Sequence, residues 1–329
     1  LCIFSGVEIL YIKGQKVLVT GGTGFIGSHL VDRLVGMGCD VTILDDLSNS
    51  TTEYIQDYLS TGRVEFVEGD VRDFETVESC VDDCSIVFHF AAQYDVRRSV
   101  SDPLYDFSIN VNGMINILEA MRRRNVQNLV FASSGGTLYG LAEAIPTPET
   151  YPLQPISPYG AAKAASEMYI SAYCACYGLC GVSLRYANII GPRSSHGVIF
   201  DFYQKLKRDP QRLEILGDGN QRKSYMDVSE CVDASIYVTE KAEKGFNVFN
   251  IGSEEWVTVN YIAKIVINEL KLKDVQLSYT GGEQGWTGDV PLVLLDISKL
   301  KGLGWKPTMR IDEAIRKYVR WIVEKYGRI

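Results

Sequence analysis

From Lys16 onward, short apolar runs alternate with longer stretches in which apolar positions recur at helical spacing. That alternation predicts successive strand-helix units and a parallel sheet covered on both faces. Strands are expected at Lys16–Thr20, Val41–Leu44, Val64–Val67, Ile86–Phe90, Asn128–Ala132 and Val182–Arg185. Helices are expected at Phe25–Met37, Phe74–Val81, Tyr105–Asn125 and Pro158–Tyr177. After Asn188 the texture becomes less regular, with Gly191-Pro192, Gly217-Asp218-Gly219 and Gly281-Gly282 breaking it. Ser224–Val228 and Phe246–Ile251 are apolar enough to return to the main sheet. The organisation read from the pattern is a domain over 13–187 with returning segments near 220–252, and a smaller interleaved domain over 188–329. The fold class is α/β.

Residues 16–30 read KVLVTGGTGFIGSHL, an apolar strand that runs into Gly21, Gly24 and Gly27 and then a helix. Asp45 closes the next apolar run, 18 residues after Gly27. Strand, glycine turn, helix and acid together point to a dinucleotide on a Rossmann-type doubly wound sheet. Gly21 permits the tight turn, Gly24 admits the pyrophosphate, Gly27 lets helix and strand pack closely, and the helix N-terminus faces the anion. Phe25 and Ile26 lie between these glycines. Asp45 suits two ribose hydroxyls and would repel a 2′-phosphate, so NAD is favoured over NADP. Asp70 and Val71, in EGDVRD, are placed beside the adenine. Phe90, Ala91 and Ala92 lie where the cofactor passes the fourth strand.

Tyr159 and Lys163 are four apart at the start of a helix and share one of its faces. They follow the serine pair that ends the Asn128–Ala132 strand, with Ser134 lying 25 residues before Tyr159. This is a constellation for moving a proton to or from a substrate hydroxyl. A phenol titrating near 10 is a poor base, and bringing it to neutrality takes roughly 4 kcal/mol. The Lys163 ammonium and a positive nicotinamide ring are the expected sources. Ser134 would share its proton with Tyr159.

The segments VTGGTGFIGSHL, LDDLS, FHFAAQ, NVNG, FASSGGTLYG, SPYGAAK and LRYANIIGPR, joined by GDG, RKSYMDVSECVDA, FNIGS and GWTGDVP, resemble extended short-chain dehydrogenase/reductases. Within that superfamily the chain is similar to nucleotide-sugar epimerases of the UDP-glucose 4-epimerase type, from Lys16 to the C-terminus. The resemblance implies NAD-dependent epimerisation at carbon 4 of a UDP-hexose through a transient 4-keto sugar. UDP-glucose and UDP-galactose are the expected pair, and Val293, where some relatives carry a bulky Tyr, leaves room for the N-acetyl forms. It implies Ser134, Tyr159 and Lys163 as catalytic residues, with Asn110 and Tyr186 beside the cofactor. Asn188, His196, Val198, Lys223, Gln284 and Asp289 are implied for the UDP-sugar, in a substrate-binding domain over 188–329.

Three departures from the resemblance matter. The SSGGTLYG loop is one residue longer than in shorter relatives, so counting back from Tyr139 selects Gly135, whereas counting from the strand selects Ser134. Related 4,6-dehydratases and decarboxylating enzymes carry acids where this chain has Gly135 and Gly136, which argues against both chemistries. Relatives usually place an Arg before the G-D-V-P segment, where this chain has Gln284 and Trp286. A nucleotide-sugar reductase or a non-catalytic NAD sensor are the remaining alternatives. The Tyr159–Lys163 pair argues against the sensor.

Composition narrows the partners. With 33 Lys+Arg against 41 Asp+Glu in 329 residues, the net charge is −8 and no basic run suits a phosphate backbone. Nucleic acid is not expected as a partner. Residues 1–12 are too short to cross a bilayer and lack the marks of a signal peptide, and no membrane partner is expected. They are read as an upstream extension outside the functional argument. Eight cysteines at irregular spacing fit a reducing, cytoplasmic setting, and Cys174, Cys176 and Cys180 have no nearby His for zinc. Tyr169, Tyr173 and Tyr177 form an aromatic stripe, and the resemblance implies that this helix and the Tyr105–Asn125 helix pair across a homodimer.

Overall fold

A computed structural model describes residues 10–329. Its centre is a seven-stranded parallel sheet built from β1 (Lys16–Thr20), β2 (Asp40–Asp45), β3 (Val64–Glu68), β4 (Ile86–His89), β5 (Asn128–Ser134), β6 (Cys180–Tyr186) and an edge strand, Phe246–Ile251. Read across the sheet, the order is Phe246–Ile251, β6, β5, β4, β1, β2, β3. The winding reverses between β1 and β4. Their carboxyl ends therefore open a crevice at the switch point, where a doubly wound sheet takes its ligand.

The apolar pattern explains the two layers around this sheet. Val17, Val19, Ile43, Phe88 and Val130 point to one face and pack with Leu30 and Leu34 of the helix Phe25–Gly36. Leu18, Leu44, Val87, Leu129 and Phe131 point to the other, against Ile117, Met121 and Ile170. The expected Tyr105–Asn125 helix forms in three pieces, Pro103–Phe107, a π-helical turn at Ser108–Asn112, and Gly113–Arg124. A π turn inserts one residue per turn and commonly marks a functional region.

Of the two segments expected to return to the main sheet, one does and one does not. Phe246–Ile251 joins the main sheet, pairing with β6 from Phe246–Gly181 to Ile251–Tyr186. The Ser224–Val228 segment does not: Tyr225–Asp227 pairs with Asn188–Ile190 in a separate two-stranded ribbon, and Arg222–Lys223 joins Val257–Thr258 and Leu292–Val293. Its apolar side chains signalled burial, and burial alone does not choose a partner strand. Residues 1–12 were set aside as one piece, and Leu1–Ile9 lie outside the described residues. Ile12, however, is fully buried in the sheet's core, and its carbonyl accepts from the Cys39 thiol.

A second core belongs to the later part of the chain. Phe202, Tyr203 and Leu206 from Val198–Arg208 pack with Ile262 and Val266 from Val259–Glu269 and with Ile315, Tyr318 and Ile322 from Ile311–Tyr326. Between the two cores lie the crevice and a smaller cavity beside it.

Candidate active site

The glycine turn is built by close approach. A Cβ at Gly27 would sit 2.0 Å from the Gly21 carbonyl oxygen, and one at Gly21, whose φ is +70°, would sit 2.6 Å from the Ala91 nitrogen. Only glycine lets the helix Phe25–Gly36 and the end of β1 draw this near. Gly27→Ala is expected to destabilise the protein by about 1–3 kcal/mol through overpacking and to weaken NAD retention. Gly36→Ala, in the same helix with nothing within 4 Å, serves as the control. Denaturation and bound-NAD content of the two variants check this, and equal behaviour would remove the cradle from the account.

Asp45 is buried at 8% exposure and is held by three donors, the Thr23 and Leu47 amides at 3.1 Å and the Ser50 hydroxyl at 3.2 Å. Oδ1 takes two of these bonds and Oδ2 one, so Oδ2 keeps a lone pair for a ribose hydroxyl. At the end of β1, the Thr20 hydroxyl lies 2.8 Å from His89 Nδ1 on β4 and accepts from the Phe90 and Ala91 amides, both at 3.2 Å. Since Thr20 accepts twice, its own proton goes to Nδ1. Burial agrees, pushing His89 down to about 3, so the ring is neutral. This clamp fixes the Phe90–Ala92 strand end. Asp70 is gripped by Arg72, which holds its carboxyl below the usual range and aims it.

These residues line one cavity of about 420 Å³ over the switch point. The structure brings Gly21, Gly24, Phe25, Ile26, Gly27, Asp45, Asp70, Val71, Phe90, Ala91, Ala92, Tyr159, Lys163 and Tyr186 to its wall. It places Asn110 behind the wall: its side chain donates to the Gln93 carbonyl and to Asp106, while Ile109 reaches the surface. The glycine cradle, the presented carboxylate and the anion-facing helix end fit a dinucleotide.

Ser134 ends β5, and Tyr159 and Lys163 lie in the first turns of the helix Pro158–Tyr177. Proline at the first helical position and the Ser157 cap start that helix cleanly. The Ser134 hydroxyl accepts from Thr137 at 2.7 Å and is hydrogen-bonded to Tyr159. Lys163, 3% exposed, donates to the Ala132 carbonyl at 2.8 Å and lies 5.8 Å from the Tyr159 ring centre.

The electrostatics depart from expectation. The Tyr159 phenol is pushed above its ordinary value by burial and then by the Asp106 charge, and only the Ser134 hydrogen bond opposes them. Lys163 donates one of its three protons to Ala132 and is not among the groups that shift the phenol. Lys163 itself is brought down to about 8 by burial, against the supporting charges of Asp106 and Glu167. Asp106 was not anticipated. It is 1% exposed and accepts from Gln93 and Asn110, and the spacing of four puts residues 106 and 110 on one side.

A second cavity of about 120 Å³ adjoins the first through Tyr186 and is lined by Ser134, Gly136, Thr137, Asn188, Lys223, Trp286, Asp289 and Val293 among others. Lys223 pairs with Asp289 across it. Three residues expected for the UDP-sugar lie elsewhere. Gln284 is exposed outside this lining, and Trp286 occupies the wall in its stead. Val198 packs on the second core. His196 faces the larger cavity, with its ring 4.7 Å from Tyr94 and 6.2 Å from Phe25. The start of the helix Val198–Arg208 directs Val198 to the second core, and the loop turns Gln284 out while Trp286, two residues on, faces the cavity.

Beneath the reacting groups lies a buried polar network. Glu167, one helical turn past Lys163 and fully buried, accepts from Ser133 and Ser183 at 2.7 Å and pairs with Arg185 at 2.6 Å. Arg185 continues to the Tyr139 hydroxyl at 2.8 Å, which donates to Asn250 at 2.8 Å. One carboxylate thus ties the helix to β5 and β6.

Comparison with known proteins agrees with this geometry. The model of the NAD dependent epimerase/dehydratase family matches residues 17–252. The UDP-glucose 4-epimerase of Mycolicibacterium smegmatis is 34% identical, over 94% of this chain and 99% of its own. A UDP-glucose 4-epimerase structure with UDP-glucose from Thermotoga maritima superposes with a TM-score of 0.86 at 35% identity, covering 95% of this chain and 100% of that one. A UDP-N-acetylglucosamine 4-epimerase from Methanobrevibacter ruminantium, in complex with UDP-N-acetylmuramic acid, reaches the same TM-score at 31% identity, covering 95% and 99%.

Proposed function

Because the chain belongs to the NAD-dependent epimerase/dehydratase family and is a UDP-glucose 4-epimerase-like isomerase using NAD, we propose that its substrate is a UDP-hexose epimerised at carbon 4. UDP-glucose and UDP-galactose are the primary pair, with the N-acetylhexosamines within range. The observation that carries this reading is the wall opposite the reacting hydroxyls. A side chain at Gly135 would meet Leu295 at 2.4 Å, and one at Gly136 would meet Val293 at 3.1 Å. A dehydratase or decarboxylase needs an acid there, and the space for it is filled by hydrocarbon. The sugar therefore meets Ser134 and Tyr159 as its proton-transfer groups.

In this mechanism Tyr159 takes the proton of the 4-hydroxyl and later returns it, with Ser134 hydrogen-bonded to the same oxygen. Lys163, anchored on Ala132, presents its remaining donors to the ribose side of the cavity. Gly21, Gly24 and Gly27 would hold the pyrophosphate and Asp45 the adenosine ribose. NAD+ held there would supply the hydride-accepting and hydride-returning chemistry for carbon 4 and a positive charge that favours the phenolate. Lys223, Asn188 and Asp289 position the nucleotide while the 4-keto sugar presents its other face against Gly136 and Val293.

The decisive experiment incubates the protein with UDP-glucose, UDP-galactose and UDP-N-acetylglucosamine without added NAD and resolves the products. C4 epimers are expected. No epimer from any sugar would overturn the reading, a 4-keto-6-deoxy product would replace it with a dehydratase, and turnover confined to the plain hexoses would remove only the N-acetyl forms.

The alkaline side of the rate profile tests the electrostatics. Burial lowers Lys163 to about 8, below its unfolded value, so its charge is lost as pH rises through 8, and activity should fall there. By linkage the unfolded chain holds more protons between about 8 and 10.4, so burying this ammonium costs stability below that window and the cost is relieved within it. Asp106→Asn keeps an acceptor but removes the charge that supports Lys163, so the midpoint should move down. A midpoint that stays put would detach Asp106 from the site.

We further propose a cytoplasmic homodimer. The seven described cysteines are free thiols, which supports a reducing setting. Leu104 (81% exposed), Phe107, Met168 and Tyr169 present apolar side chains from the two helices that the resemblance pairs. Tyr173 instead turns inward to donate to Glu119 at 2.6 Å. Sedimentation at twice the chain mass of 36.7 kDa is expected, and a monomer at micromolar concentration would end this part.

A further inference from the structure

The loop that leaves Asp45 runs as a strap along the cofactor cavity, lining it from Asp46 through Ser48, Ser50 and Thr51 to Glu53 and Tyr54. Its root is fixed on the cofactor-binding half: the Ser50 hydroxyl lies 2.6 Å from that of Thr23 and donates to Asp45 at 3.2 Å. Its tip, a short turn over Thr52–Tyr54 capped by Thr51, is fixed on the other half. The Arg193 guanidinium lies 4.7 Å from the centre of the Tyr54 ring. The Lys325 ammonium pairs with Glu53 and stands 5.7 Å from the same ring. Arg193 and Tyr326 themselves line the cavity.

Arg193 is held there against local costs. Its φ is +70° although it is not a glycine, and its Nη1 is buried with no partner. Left-handed backbone and an unpaired buried donor both disfavour the folded state. Such a residue persists where its surroundings over-determine it, and these places cluster at functional sites and clamps. Here Nη2 pairs with Asp32 of the helix Phe25–Gly36 at 2.7 Å, and His29 Nε2 of the same helix donates to the Pro192 carbonyl at 3.0 Å. The chain from Pro192 to His196 is thus pinned across the helix that follows the glycine turn, with the His196 ring against Phe25 and Tyr94.

We propose that Tyr54 and Glu53 on the strap, with Arg193 and Lys325 on the opposite half, form a latch that sets how fast NAD enters and leaves. It concerns the cofactor alone and holds whichever sugar is epimerised. The latch contacts join protein to protein across the cavity. Breaking them lowers the barrier to opening and leaves the affinity for NAD nearly as it was. A gate changes entry and exit together, whereas loss of a direct ligand contact acts mainly on exit.

The test is exchange of bound NAD for excess radiolabelled NAD in the loaded protein, together with the NAD concentration that half-loads it. Tyr54→Ala and Arg193→Gly should each speed exchange by about tenfold, the scale of a partly desolvated cation–π contact. The half-loading concentration should move by less than about twofold. Arg193→Gly is the sharper variant, because glycine adopts a positive φ without strain. Lys325→Gln should speed exchange by about two- to threefold, as befits an exposed pair. Exchange unchanged in Tyr54→Ala and Arg193→Gly would overturn the latch. So would a tenfold rise in the half-loading concentration that matches the gain in exchange rate, because the two residues would then be cofactor contacts. A protein whose variants exchange NAD as expected but whose wild type epimerises no UDP-hexose would sink the proposed function and leave the latch standing.

Discussion

Tyr159→Phe should abolish most of the epimerisation while leaving the fold and the bound NAD intact. A positioned proton-transfer group contributes on the order of 10²–10⁴ in rate, and no other described side chain at this wall can replace it. Ser134 is bonded to Thr137 and Tyr159, and a serine hydroxyl is far too weak an acid or base alone. The ring stays, so the packing against Lys163 stays. Single-turnover rates and bound-cofactor absorbance check the two halves, and full activity in the variant would move the proton chemistry elsewhere.

Glu167→Ala should be the most destabilising single change near the site, by about 3–5 kcal/mol, the cost of stranding a buried charge. The Arg185 side chain, 5% exposed, would lose both carboxylate contacts. Ser133 and Ser183 would lose their acceptor as well. Replacing Glu167 and Arg185 together by Met should recover part of the loss only, since the two serines remain unpaired. Urea denaturation of the wild type and the two variants measures this. A Glu167→Ala loss below about 1 kcal/mol, the range of an exposed pair, would mean that the network is hydrated rather than sealed.

The same two residues show what could and could not be read along the chain. Tyr159 was legible because its chemistry is local: a four-residue spacing on one helix face survives any tertiary arrangement. The glycine turn was legible for the same reason, and so were β1 to β6, whose apolar runs are long enough to leave no competing period. Glu167 was not, because a charged residue in a helix reads as solvent-facing until Arg185, Ser133 and Ser183 arrive from other strands. Asp106 was hidden for the same reason, since only Gln93 and Asn110 make its burial tolerable. Ser224–Val228 announced burial without naming its partner, and Gln284 and Trp286, two residues apart, could be separated only by the loop that turns one out and the other in.

The edge strand Phe246–Ile251 carries a consequence for modularity. Asn188 and Lys223 of the smaller cavity precede this strand in the chain while Trp286, Asp289 and Val293 follow it, so the sheet is finished only after part of the second core and of that cavity has been threaded. A chain ended at Ala187 would leave the Gly181–Tyr186 flank of β6 as an open, apolar edge, the kind of surface that recruits other chains. The cofactor half is therefore not a detachable cassette. Exchange of sugar specificity between such proteins is confined to loop and side-chain replacement, because a whole-domain swap would take the last strand of the sheet with it.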